Sequence, residues 1–162
     1  MSIGITNVTG LKNIPFALTE RLITSILSAH NNINTFSTGD IFEVEMKEVT
    51  YPLAHLSIES ASYDTGTLTY SFQLIVMDLV SKDESNEPYV LSDTLETIGD
   101  VLSKIKNANI ADITDSRNHF RIQDNVTCEP FTERFDNEVA GWAADFEIET
   151  AFDFSACDGD VM

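Results

Sequence analysis

The sequence predicts an α+β fold, a mixed or mainly antiparallel sheet of about five to six strands with two amphipathic helices on one face. Three observations predict it. Between positions 142 and 154, Trp142, Ala144, Phe146, Ile148, Thr150, Phe152 and Phe154 alternate with Ala143, Asp145, Glu147, Glu149, Ala151 and Asp153. That period of two gives an extended strand one greasy and one acidic face. Leu68, Tyr70, Phe72, Leu74 and Val76 alternate with polar residues in the same way. Two other segments, 15–29 and 91–105, repeat apolar residues every three or four positions, the spacing of a helix with one buried stripe.

Taken in order, residues 1–13 are small and polar and read as a loose arm. Asn13 and Pro15 mark a helix start, because Asn caps and Pro is tolerated in the first turn. Phe16, Ile23, Ile26, Leu27 and His30 form its stripe, and Asn31, Asn32 and Asn34 stop it. Thr38-Gly39-Asp40 reads as a turn, followed by a strand over 41–47 with Phe42, Val44 and Met46 inward. A second strand is expected over 51–59, with Leu56 and Ile58 facing in, and a polar connection over 60–66. The third strand, 68–80, turns apolar on its other face at Ile75, Met77 and Leu79. A strand end greasy on both faces is central, or is covered by a helix or a neighbouring chain.

A charged loop follows over 81–88, and then the second helix, capped by Ser92 or Asp93. Its stripe is Leu91, Leu95, Ile98, Leu102 and Ile105; Gly99 within it suggests close approach to the sheet. Lys104 and Lys106 suit the negative end of the helix dipole. A linker over 107–118 leads to a short strand over 119–126, with Phe120 and Ile122 inward. A hairpin over about 127–154 closes the chain, its turn opening at Asp136-Asn137 and closing near Gly141. The whole of 1–162 reads as a single domain, with 155–162 a loose tail.

Composition narrows the function. The 162 residues carry 27 acids against 9 bases, a net charge of −18. From Glu129 onward there are ten acids and one base, Arg134, so half the net charge lies in the last fifth of the chain. Such a surface lacks the basic patch that gripping nucleic acid requires. The two cysteines, Cys128 and Cys157, make no disulfide framework; reduced thiols are expected, with pairing of the two the lesser alternative. The N-terminus has no basic start followed by an apolar run, and no apolar run approaches a membrane span. No membrane partner is expected.

Catalytic signatures are absent from the pattern. There is no P-loop, no G-x-G-x-x-G and no G-x-S-x-G elbow. His30, His55 and His119 lie far apart and read as surface or boundary residues. Asp145, Glu147, Glu149 and Asp153 share a strand face at intervals of about 6.8 Å, and a solvated face outweighs a cation site there. Arg134 is expected to pair with an acid of its own hairpin or to reach across a subunit interface. The chain is expected to be no enzyme and to carry no cofactor.

The segments Phe131-Thr-Glu-Arg-Phe135 and Val139-Ala-Gly-Trp142, with the alternating strand that ends near Cys157, resemble the tail-terminator proteins of long-tailed bacteriophages and the related neck rings. The first helix, Tyr51-Pro52-Leu53 and the polar loop before the second helix share that resemblance. It implies a virion protein assembled in the host cytoplasm. It implies a homo-oligomeric ring, commonly of six subunits, touching the tail tube and neck or head-completion proteins, with DNA passing through unbound. On that reading, channel-facing acids would be Asp145, Glu147 and Glu149 or the loop acids Asp83, Glu84 and Glu87. Ile75, Met77, Leu79 and Arg134 would lie at the subunit interface, since ring closure hides apolar surface. The alternative is an acidic protein that mimics DNA and blocks a DNA-binding partner, which net charge alone supports.

Overall fold

The computed structural model describes residues 2–3, 16–39, 50–107, 109–110, 120–123, 125–134 and 138–151. The elements are β1 (Ser2–Ile3), α1 (Phe16–Ala29), β2 (Thr35–Thr38), β3 (Leu53–Asp64), β4 (Thr67–Leu79), α2 (Glu87–Lys106), β5 (Asn109–Ile110), β6 (Phe120–Ile122), β7 (Thr127–Arg134) and β8 (Glu138–Ala151). The fold is α+β. The main sheet is mixed: its order is β2-β3-β4-β8, and β6 and β7 both pair with the other edge of β8. Every pairing in it is antiparallel except β2 with β3. β1 and β5 form a separate parallel pair.

The two long strands that announce themselves by alternation are the centre of the sheet. β4 and β8 pair from Thr67 opposite Ala151 to Leu79 opposite Val139. Their apolar faces coincide, because a fixed register carries period two across both strands. Leu68, Tyr70, Phe72, Leu74 and Val76 are buried together with Ala144, Phe146 and Ile148. α1 covers this face with Leu22, Ile23, Ile26 and Leu27, and α2 with Ile98, Val101 and Ile105. Phe72 sits between Phe16 and Phe146 at ring distances of 6.0 and 5.7 Å, both stacked. Burying one such side chain contributes about 1.5–3 kcal/mol. Trp142 adds a polar tie: its indole N–H donates to the Leu91 carbonyl at 2.7 Å, fixing α2 to β8.

Several expectations need correction. The second helix starts at Glu87, with Pro88 in its first turn, and Asn86 stands at the cap without a side-chain cap bond. Asp93 is inside the helix. Its buried stripe is Val90, Thr94, Thr97, Ile98, Val101 and Ile105, rotated from the expected one, and Leu95 is exposed. Thr94 and Thr97 fit inside because their hydroxyls donate to the Val90 and Asp93 carbonyls, leaving the methyl groups to the core. Gly99 makes no close approach to anything. Gly141 does: it lies within β8, not at the end of a turn, and a Cβ there would sit 1.9 Å from the Val76 carbonyl oxygen.

β3 runs on to Asp64, through residues expected to form a connection, with an irregularity in pairing between Ile58 and Ser60. The turn shrinks to Thr65-Gly66, with Gly66 at φ 74°. Thr35–Thr38 is a strand that no alternation of apolar residues announces. The strand expected over 41–47, the turn residues 135–137 and the tail over 155–162 lie outside the described residues, as do Asn13, Pro15, His119, Asp153 and Cys157. Ile122 is inward as expected.

His30 and His55 are buried, not surface residues. Asn32 donates its N–H to His30 Nδ1 at 3.1 Å, so Nε2 carries the proton and donates to Asp100 at 3.3 Å. The His30 ring thus joins the end of α1 to α2. His55 reaches the Gly39 carbonyl through Nε2 at 2.9 Å and Ser37 Oγ through Nδ1 at 2.7 Å, tying β3 to the far end of β2. These hydrogen bonds offset the cost of burying the two rings.

Candidate functional site

The sheet face away from the helices is divided along its length. Toward one end it is apolar. Leu53, Met77 and Val139 are buried there, with Tyr51, Ile75 and Phe131 packed around them. These residues come from β3, β4, β7 and β8 at matching register, Leu53 opposite Met77 and Phe131 opposite Gly141. The expected interface residues therefore separate. Met77 is 4% exposed and sits in the molecule's own second cluster, Ile75 is half-buried beside it, and Leu79 at 47% is the one that stays open. β4 is apolar on both faces at that end because both faces are packed.

Toward the other end the same strands carry polar groups. Asp145 and Glu147 are exposed and Glu149 half so, all on β8. Their neighbours on β4 hold them: the Gln73 amide donates to Asp145 at 3.1 Å and the Ser71 hydroxyl to Glu147 at 3.3 Å. Arg121 of β6 lies 3.9 Å from Glu149. Ser71, Asp145 and Glu147, together with Glu59 of β3 and Gln123 beyond β6, line a shallow trough of about 250 Å³ across β3, β4 and β8. Glu59 titrates above the usual glutamate range, first because its surroundings withhold water and second because Asp145 repels its charge. Cys128, a free thiol on the helix side of β7, is raised for the same two reasons in the same order.

The trough fits repulsion of anions and weak attraction of cations. Among the described residues no group of three His, Cys, Asp or Glu is placed to hold a metal ion. No described helix is long and apolar enough to cross a membrane. Glu59 and Gln123 were not singled out from the sequence. Glu59 stands at the end of the strand expected over 51–59, next to a polar stretch that reads as a connection.

Asp83, Glu84 and Glu87 form no part of this surface. They follow the opposite end of β4, where Val80 N–H bonds the Glu138 carbonyl. Seven residues of strand separate Glu138 from Asp145, about 23 Å at strand rise. The loop is tied into itself. Asp83 accepts from the Ser81 hydroxyl at 2.8 Å, the Ser85 N–H at 3.1 Å and the Ser85 hydroxyl at 2.8 Å. Those bonds, the Ser81 hydroxyl foremost, hold its carboxyl below the usual aspartate range. Glu84 takes a left-handed backbone at φ 63°. Arg134 ends β7 opposite Glu138 across the hairpin.

The chain matches no protein-family model and no curated protein.

Proposed function

We propose that the protein is a structural virion protein of a tailed bacteriophage, forming a homo-oligomeric ring at the tail end or head–tail junction through which DNA passes. The observation that carries this reading is the acid row Asp145, Glu147 and Glu149 on β8, the strand paired with β4 on one edge and with β6 and β7 on the other. A wall of carboxylates on a fixed backbone offers DNA phosphates no cation to bind, so DNA slides past it. The overall charge of −18 acts in the same direction. The sequence resemblance to tail terminators and neck rings supplies the ring, the tail tube and the neck proteins as partners. The strand face is preferred to the Asp83 loop as the channel wall, because the Asp83 carboxylate is held by Ser81 and Ser85.

The test is charge reversal in the phage itself. Glu147→Lys with Glu149→Lys should leave assembled tails at normal number and slow DNA ejection. Ejection at the normal rate from particles that carry the variant would overturn the channel-wall assignment. A DNA-mimic would behave differently: the same reversal would release its target enzyme and leave ejection unchanged.

A further inference from the structure

His30 stands just past α1 and is 7% exposed. Both of its ring nitrogens are used. Nδ1 accepts the Asn32 N–H at 3.1 Å, and Nε2 donates to Asp100 of α2 at 3.3 Å. The first bond exists only while Nδ1 carries no proton. In the imidazolium both nitrogens are donors, and two N–H groups would then face each other. The second bond survives protonation, because Nε2 carries its proton in both forms.

The rest of the turn does not depend on the ring. The Ile33 N–H donates to the His30 carbonyl at 3.2 Å, and the Ile33 side chain is buried. The Asn34 N–H donates to the Pro52 carbonyl at 3.0 Å, and its side-chain amide to the Tyr51 carbonyl at 2.6 Å. Asn31 and Asn32, both exposed, form the apex between these anchors and the helix end. They are also one lip of a cleft of about 510 Å³, whose lining includes Asp78 of β4 and Asp93 and Glu96 of α2. On α2, Asp100 touches the ring and Lys104 lies one helical turn beyond it. α1 carries no charge after Arg21, β2 has no titratable side chain, and His55 of β3 is bonded to Ser37 and Gly39.

We propose that His30 is a proton-operated latch on the Asn31–Asn32 lip of this cleft. When Nδ1 takes a proton, the Asn32 N–H loses its acceptor and the apex turns away from the ring. Ile33, Asn34 and the Asp100 contact hold, so the movement stays local. Histidine is the side chain that ordinarily changes charge between about pH 5 and 8. The latch does not depend on subunit assembly: a single chain carries all of its parts.

The test follows the His30 ring nitrogens and the Asn32, Ile33 and Asn34 amides by NMR in the full chain, from about pH 8 to about pH 5. Amide exchange is read as protection relative to an unstructured chain. Protonation of Nδ1 should coincide with an about five- to tenfold loss of protection at Asn32, the equivalent of one neutral hydrogen bond. Ile33 and Asn34 should keep their protection, and circular dichroism should not change. His30→Gln cannot titrate and should abolish the step at Asn32. Asp100→Asn keeps an acceptor for Nε2 and should retain it; loss of the step there would overturn the proposal. A ring that takes no proton at Nδ1, or Asn32 protection that is unchanged once it does, would overturn it in the wild-type chain alone. So would a step that persists in folded His30→Gln, which would assign it to the cleft carboxylates. Joint loss at Ile33 and Asn34 would overturn it too, because the whole connection to β2 would then be unravelling.

Discussion

The two ends of the outer sheet face are built from the same strands and differ in almost everything else. At one end β3, β4 and β8 contribute Leu53, Met77 and Val139, closed against Tyr51, Ile75 and Phe131. At the other they contribute Glu59, Ser71 and Asp145 to a shallow trough, with Gln73 bonded to Asp145 beside it. The helix-side face shows no such division: it is apolar from Leu68 to Val76 and from Ala144 to Ile148. The lesson is that a strand is not the unit of burial on a sheet. Each face of each end is, and a strand can be core on one face throughout and change character halfway along the other.

The sharpest way to break this comparison is at Gly141, where the closed end brings two backbones together. Gly141→Ala places a methyl group where the Val76 carbonyl stands, and only backbone displacement relieves it. Loss of about 3 kcal/mol or more is expected, read as a collapsed melting temperature. Next is Met77→Ala, which empties the second cluster. A loss of roughly 2–5 kcal/mol in denaturant titration is expected if the cluster is a packed core. A change near zero would mean that Met77 behaves as the open interface residue the sequence suggested. Trp142→Phe keeps the ring and drops the bond to Leu91, for a loss of about 1 kcal/mol.

The open end should respond far less. Glu147→Lys with Glu149→Lys should change stability by no more than about 0.5 kcal/mol per site, leaving the ejection phenotype as its readout. Glu59→Gln should stabilise slightly at neutral pH. The sign follows from its raised value: the folded chain holds this proton more tightly than the unfolded chain, so ionisation costs stability as pH rises through the folded value. The advantage of Gln should fade as pH falls below the ordinary glutamate value of 4.5. Melting temperatures measured across that interval check it.

Much of the fold was legible because it rests on period. β4, β8 and α1 follow from alternation and helical spacing; the α1 pattern names Ile23, Ile26 and Leu27 but misses Leu22 and Thr19, which are buried beside them. What the pattern missed has physical causes. β2 is four residues of Thr, Phe, Ser and Thr, too short and too polar for alternation to register. Ser60-Ala61-Ser62 of β3 reads as a connection, whereas its hairpin partner β4 holds it extended. The buried face of α2 departs from the apolar stripe because Thr94 and Thr97 count as polar in a hydropathy pattern, yet bury their methyl groups once their hydroxyls bond the helix backbone. The acid row of the site was readable residue by residue. The closed second cluster was not, since an apolar strand end looks the same whether its own molecule or a neighbour covers it.

The proposed function stands on assembly of this chain into a ring. The most direct measurement is the native mass of the purified protein by light scattering, taken free and again with assembled tail tubes, with images of the same samples. A closed ring, free or seated on the tube end, is expected. A chain that stays monomeric and leaves the tube ends bare would contradict it.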